Sequence, residues 1–464
     1  MFRSSRKSYW SSQAYQKKKA LPKRWVLLSI PLAVMALELL VRLVVGVSGK
    51  TAELNSFEGE PLNLTAYRLK FLDQTRNPYD GLPNWGQLMV KRSPIMGYRL
   101  VSNQKNTVWQ INEQGFRADQ AVPIDKPKDE VRVFILGGST AFGQLSANNQ
   151  STIAGKLEAR LNQQVAAQKA APGKFRPDIL PYYADELDKV LALQPRIREN
   201  RYRVINAAVP GYVSSNELSQ LAFEILAYKP DFIVLLNGYS DLLLPSTYEG
   251  ADVPGTEAML GSAPRHLMVG FGHQLQSFFR QLFLVRGFEY WVLRPQTAIK
   301  QMIPPSIDSD SSLKERLPKD SKELGERVDR YRQNLQHMAR LTAGSKVPLI
   351  VALQPEISSR KPEKQSAREK EILARLGSDY PQHIKEGYTQ LQSSIEQVKR
   401  DVPQGLSSLN VSDAYKDYSK EAFQDVIHLT DDANSVMADR LFDSIANKLH
   451  VQPRPYAGNT PPAQ

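Results

Sequence analysis

Three residue types whose spacing can support acyl-transfer chemistry stand far apart in the chain. Near the C-terminal end, residues 423–431 read Phe-Gln-Asp-Val-Ile-His-Leu-Thr-Asp, with Asp425 three residues before His428. An acid at that distance can fix the imidazole tautomer through Nδ1 and leave Nε2 free to take a proton from a nucleophile elsewhere. The candidate nucleophile is Ser139, which closes Val131-Arg-Val-Phe-Ile-Leu-Gly-Gly-Ser-Thr140. This is a strand of buried type ending in two glycines, and glycines there permit a sharp turn that presents a serine at a sheet edge. Two further loops come after strands in the same way: Ala207-Ala-Val-Pro-Gly211-Tyr212 after Val204-Ile-Asn206, and Asn237-Gly-Tyr-Ser240-Asp241 after Phe232-Ile-Val-Leu-Leu236. Taken singly, each signal has a plain structural reading. Any glycine-rich turn can contain a serine, and Asp-x-x-His also reads as a helix cap beside a histidine. Their order, each after its own strand, is what points to a site.

Strand-G-G-S-T, V-P-G-Y, N-G-Y-S-D and F-x-D-x-x-H together resemble the block pattern of the SGNH (GDSL-like) hydrolases, in a membrane-anchored bacterial form. The blocks span about 300 residues, from Ser139 to His428. The resemblance implies an α/β fold, a flavodoxin-like three-layer αβα sandwich with a parallel sheet. It also implies roles: Ser139 as nucleophile and backbone oxyanion donor, Gly211 as a second backbone donor, the third-block residue Ser240 as a side-chain donor, His428 as base and Asp425 as its orienter. Two departures stand out. The first block reads G-G-S where G-D-S is frequent, which moves no catalytic group. The third block has Ser240 where the family pattern G-x-N-D has asparagine; the neighbouring Asn237 is a candidate to substitute for it or to contact substrate at the rim, although it lies before the glycine rather than after it. Similar N-x-x-G-F-R stretches precede the serine strand in anchored relatives. Arg117 is therefore a candidate for the site's rim, or else a structural partner of a carboxylate.

Composition removes other classes. Cysteine is absent, so disulfides and thiolate metal sites are excluded. The 6 histidines lack metal-ligand spacing, and no cofactor is expected. The net charge of +12 suggests nucleic acid until it is located: eight positive charges lie in the first 24 residues, leaving an ordinary surface.

The segments that would hold these residues in place run along the chain in order. After the basic head 1–24, residues 25–47 form an apolar run long enough to cross a bilayer core of about 30 Å as a helix. The flanking charge places the N-terminus in the cytoplasm and the rest outside, in the periplasm if the source is bacterial. Glu38 and Arg42 interrupt the run, each at a cost of about 2.5–3.5 kcal/mol at a helix centre. They read as an i,i+4 pair or as a docking site for another membrane helix. A cleaved signal peptide is the rival to an anchor. Residues 48–130 form a linker and hairpin region with a bend at Gly115. Residues 131–450 alternate strands and helices, which argues for a parallel sheet with ligands at the strands' carboxyl ends. Insertions fall at about 172–200 and 245–320. The second is amphipathic through Met268, Phe271, Leu275, Phe278, Leu282 and Val285; it is expected on the domain core, or as a lid or membrane face. The basic stretch 358–375 reads as solvated surface and 451–464 as a disordered tail. The expected function is a membrane-anchored extracytoplasmic serine esterase or deacylase acting on an acylated small molecule, lipid or glycan. An O-acyltransferase acting on a polysaccharide or glycolipid, and a degraded, non-catalytic binding or assembly protein, remain open.

Overall fold

The computed structural model describes residues 23–51, 65–73, 75–79, 86–248, 282–288 and 313–456. They fall into two units. The larger is built on five parallel strands, β6 (Glu130–Gly137), β7 (Arg201–Asn206), β8 (Phe232–Asn237), β9 (Leu349–Leu353) and β10 (Ser407–Asn410). Their spatial order is β7-β6-β8-β9-β10, the doubly wound order 2-1-3-4-5. Every residue of β6, β8 and β9 is buried, as expected for strands covered on both faces and rich in Val, Ile and Leu.

Because β7 and β8 lie on opposite sides of β6, right-handed crossovers put their connecting helices on opposite faces of the sheet. Helix Ile153–Ala170 packs with the last helix, Asp431–Leu449, while Ser214–Phe223 packs with Ser321–Gly344, which also meets Tyr380–Asp401. Thr152, Asp320 and Thr430 cap three of these helices by accepting from backbone N–H groups. Ahead of the sheet, β1 (Leu69–Leu72), β2 (Leu88–Ser93) and β3 (Gly97–Leu100) form a small three-stranded sheet. Strands β4 (Gln104–Lys105) and β5 (Gln110–Ile111) pair beside it, and an Ile111–Arg117 bridge closes the expected bend, with Gly115 at φ 90°.

Two expectations are corrected. The stretch 358–375 is not merely solvated: Arg360 and Glu369 are buried and lie 3.3 Å apart. A lysine- and arginine-rich composition hides such a pair because its partners lie elsewhere in sequence. The start of the tail is tied down, since Val451 N–H donates to the Arg196 carbonyl and Arg454 N–H to that of Asp178, both in the 172–200 insertion. Of the second insertion, residues 282–288 are described. Met268, Phe271, Leu275 and Phe278 lie outside the described residues.

Those seven residues belong to the smaller unit, which pairs helix Lys23–Val47 with the short helix Phe283–Phe288. The Glu38 carboxylate accepts from Phe283 N–H and Leu284 N–H, each at 2.9 Å, and from Arg42 Nε at 2.8 Å. Arg42 also lies 4.7 Å from the centroid of the Phe283 ring. The two charges thus pair as expected and also dock a helix, one from the same chain. Leu32, Met35, Leu39, Leu43 and Val44 on the long helix are exposed. Among the described residues no helix is long and apolar enough to cross a membrane.

Packing is tight at the end of β6. Gly137 has φ 149°, and a Cβ there would stand 2.2 Å from the Leu236 carbonyl oxygen and 2.6 Å from Ala141 Cβ. Gly137→Ala is expected to cost about 3 kcal/mol or more through strain and overpacking, measured as a lowered urea midpoint; an unchanged midpoint would refute this account of the turn.

Candidate active site

The loops after β6, β7 and β8 converge because their backbones leave no room for side chains. A Cβ on Gly138 would lie 3.1 Å from the Tyr212 carbonyl oxygen and 3.7 Å from Ser240 Oγ. Gly138 therefore brings the Gly211–Tyr212 loop and the Ser240 turn against the nucleophile loop. Ser139 opens a four-residue helix, Ser139–Phe142. Neither its N–H nor that of Gly211 is used in a hydrogen bond among the described residues. Gly211 has φ 84°, a left-handed conformation that suits glycine.

The Asp425–His428 loop is closed by a Phe423–Leu429 bridge and by Gln424 N–H donating to the His428 carbonyl at 2.8 Å. Asp425 divides its two oxygens. Oδ1 accepts from the backbone N–H of Ile427 at 3.1 Å and of His428 at 2.8 Å. Oδ2 accepts from His428 Nδ1–H at 2.6 Å. The acceptor carboxylate requires the proton on Nδ1, so Nε2 is the basic nitrogen. That atom is buried with no hydrogen-bond partner. Ser139 and His428 are brought together through their neighbours: Thr140 Oγ1 donates to the Ile427 carbonyl at 3.2 Å and accepts from Gln354 Nε2 at 3.2 Å. The Ser139–His428 hydrogen bond itself is not formed, and such bonds often tighten only when substrate is present.

Arg117 is neither at the rim nor paired with a carboxylate. It is buried, and its Nη1 donates to the carbonyls of Phe142 at 3.0 Å and Gly143 at 2.7 Å, the C-terminal end of the nucleophile helix. Its other nitrogens reach Asn149, Tyr67 and the Val108 carbonyl. Asn206 Nδ2 joins it on the Phe142 carbonyl. A cation at a helix C-terminus is favoured by the aligned carbonyls, so Arg117 fixes the helix that begins with Ser139. Asn237 is also spoken for: its Nδ2 donates to Glu217 and its Oδ1 accepts from Tyr331. It does not stand in for the missing asparagine. Ser240 Oγ, which makes no hydrogen bond among the described residues, is left as the side-chain candidate.

Sequence reasoning missed the residues that hold these loops in place. Tyr98, on β3, donates to the Pro210 carbonyl at 2.7 Å and accepts through its own carbonyl from Tyr212 Oη, clamping the Gly211 loop. Glu369 Oε1 accepts from Ala422 N–H at 3.0 Å and Phe423 N–H at 3.1 Å, at the entrance to the Asp–His loop. Arg360 donates to the carbonyls of Tyr415, Tyr418 and Lys420 on the same approach. Glu369 does carry a sequence signal, as N3 of a capping box with Ser366. The others are long-range and carry none.

No protein-family model matches the chain and no curated protein matches it. Solved structures similar to it include an α/β hydrolase from the metagenome of Lake Arreo, with 12% identity, 68% of this chain and 94% of that one covered, and TM-score 0.32. An acetylxylan esterase mutant from Geobacillus stearothermophilus gives 11%, 68%, 94% and 0.32. A lipase/acylhydrolase from Enterococcus faecalis gives 15%, 70%, 98% and 0.31. Likenesses at this identity and TM-score do not bear on the chemistry of this chain, which rests on its own residues.

One buried acid borders the Asp–His loop. Glu356 accepts from Ser358 N–H at 2.9 Å and, at 3.4 Å, from Tyr380 Oη, which also meets Tyr239 Oη at 3.1 Å. The next residue, Ile357, donates its N–H to the Val426 carbonyl. Burial pushes the Glu356 carboxyl from the ordinary 4.5 up to about 7. Its folded value is the higher one, so its contribution to stability is full below about pH 4.5 and is lost as pH rises through about 7. Glu356→Gln is expected to remove a fall of roughly 3 kcal/mol across that window, read from denaturant titrations at several pH values; an unaltered slope would contradict it.

Proposed function

We propose that the chain is a serine esterase or deacylase that cleaves an acyl ester with Ser139, His428 and Asp425. The observation that carries this reading is the His428 imidazole held by Asp425 Oδ2 at 2.6 Å with its buried Nε2 unclaimed, on a loop bonded to the residue after Ser139. In the first step Ser139 Oγ attacks the acyl carbonyl carbon while its proton passes to His428 Nε2. The carbonyl electrons move onto oxygen, and that oxyanion takes hydrogen bonds from the N–H groups of Ser139 and Gly211. The tetrahedral adduct then collapses, the ester C–O bond breaks, and the imidazolium gives its proton to the departing alcohol. Water, deprotonated by the same nitrogen, attacks the acyl-serine; the acyl C–Oγ bond breaks, Ser139 Oγ takes the proton back from His428, and the acid leaves. Asp425 stabilises the imidazolium without taking the proton.

Ser240 sets the expected speed. A family-type asparagine would reach the oxyanion with an amide, and losing one such donor costs roughly 2.7–4 kcal/mol. A serine hydroxyl stops about one bond shorter, so the stabilisation rests mainly on the two backbone donors. This weaker hole also keeps open a protein that binds acylated ligands without turning them over. Transfer to a glycan hydroxyl in place of water uses the same triad and differs only in the acceptor.

We further propose that residues 25–47 anchor the protein with its N-terminus in the cytoplasm and the catalytic unit outside. The exposed apolar side chains of that helix support this reading. So does the pairing of Glu38, whose donors offset the cost of a charge in an apolar run.

Kinetics with aryl acetates test the triad. Ser139→Ala and His428→Ala are each expected to lower kcat by about 10⁴-fold or more, and the double variant no further, because the residues act as a unit. Asp425→Asn leaves an imidazole in place with the wrong tautomer and is expected to do less damage than either. Ser240→Asn is expected to raise kcat with little change in KM. Hydrolysis indifferent to Ser139→Ala would end the assignment.

A further inference from the structure

Two buried carboxyls stand behind the loops that carry the oxyanion donors and take no part in the acyl-transfer steps. Asp241 follows Ser240 directly, and its Oδ1 accepts from the N–H of Ser214 at 3.1 Å and from the Ser214 hydroxyl at 2.5 Å. Ser214 is three residues after Gly211 and begins the helix Ser214–Phe223. The Asp241–Ser214 contact is therefore a direct tie between the turn carrying Ser240 and the loop carrying Gly211. Asn334 Nδ2, at 3.0 Å from both Ser214 Oγ and Ser215 Oγ, holds the far side of that tie. Glu217, one turn along the same helix, completes a second tie: its Oε2 accepts from Asn237 Nδ2, whose Oδ1 accepts from Tyr331 Oη at 3.1 Å. Its other oxygen, Oε1, is buried with no hydrogen-bond partner. The two carboxyls are 0% and 1% exposed for Glu217 and Asp241.

We propose, resting on the esterase reading, that Glu217 and Asp241 are positioning residues that set the spacing between the Gly211 loop and the Ser240 turn. They would thereby set the width of the oxyanion hole. The division of charge comes from their surroundings. Burial pushes both carboxyls up, Glu217 well above the ordinary range, and the Asp241 charge raises Glu217 further. Asp241 has the Ser214 donors and the nearby guanidinium of Arg330 to favour its anion. Glu217 has one amide donor and a bare oxygen, so it is the neutral member. The remaining titratable groups facing Glu217 are Tyr212, on the loop before its helix, and Tyr331, on Ser321–Gly344; burial holds both in the phenol form. When pH rises far enough to ionise Glu217, a second negative charge enters this volume with no further cation among the described residues to meet it. The turns it joins are those that carry the oxyanion donors.

The same arrangement accounts for Asn237. Its amide serves Glu217 rather than the substrate, which leaves the Ser240 turn to be placed by Asp241.

The experiment is the pH profile of kcat and KM for aryl acetate hydrolysis by the full-length protein in detergent, with Asp241→Asn and Glu217→Gln compared under the same conditions. Folding is checked by near-ultraviolet circular dichroism and Tm. Asp241→Asn is expected to lower kcat about a hundredfold, the scale of an ångström-sized misplacement, with KM changed far less. The wild type is expected to lose kcat at alkaline pH, and Glu217→Gln, isosteric and unable to ionise, is expected to flatten that fall. Should Asp241→Asn fail to fold, Glu217→Gln alone decides. An active wild type whose folded variants change Tm but keep the wild-type kcat and pH profile would overturn the positioning role alone. A wild type that hydrolyses no ester would overturn this inference together with the esterase reading.

Discussion

The loops crowd around Gly137, where a methyl group is excluded, and around Gly138, where one would be tight, and the site depends on that approach. The Leu236 carbonyl stands 2.2 Å from where a Cβ on Gly137 would be, and the Tyr212 carbonyl 3.1 Å from one on Gly138. Strand β6 is central, flanked by β7 and β8, so the loops leaving all three carboxyl ends are neighbours at the topological switch point. Glycine at both positions converts that neighbourhood into contact. Ser139, Gly211 and Ser240 are then within one small volume, although more than a hundred residues separate the first from the last.

The surrounding polar groups extend the same logic outward. Three of the four loops at the site are held by a buried charged or polar side chain bonded to backbone: Arg117 on the Phe142 and Gly143 carbonyls, Tyr98 on the Pro210 carbonyl, Glu369 on the Ala422 and Phe423 N–H groups. Loops carry polar backbone groups that cannot be buried unpaired without penalty. Long side chains from distant elements supply the missing partners, and in doing so fix the loops' positions. A site in which the chemistry lies on loops can then keep its geometry as rigid elements would.

What was legible in the sequence has a common character. Strands β8 and β9 are almost wholly Val, Ile, Leu and Phe, and β6 carries Val-Phe-Ile-Leu over 133–136, so their existence and approximate ends can be read from pattern alone. The parallel sheet and the position of Ser139, Gly211 and Ser240 after strands could be read for the same reason, whereas the Asp–His pair lies on a loop well beyond the end of β10 at Asn410. The supporting residues were not legible, because a charged residue in a polar stretch looks the same whether solvated or buried against a partner. Arg360 and Glu369 lie in a run that reads as surface, and Arg117 reads as a partner for an acid when it binds carbonyls instead. The role of Glu38 was half visible: the i,i+4 pair with Arg42 is local, whereas the N–H groups of Phe283 and Leu284 that it accepts lie 245 and 246 residues away.

The central claim is that His428 activates Ser139, and covalent labelling addresses it most directly. Full-length protein would be treated with a serine-reactive fluorophosphonate and monitored by intact mass, with the adduct located by peptide mapping and His428→Ala run alongside. The account predicts a single adduct per chain, on Ser139, formed far more slowly when His428 is replaced. A wild type that stays unmodified, or an adduct on a different serine, would contradict it.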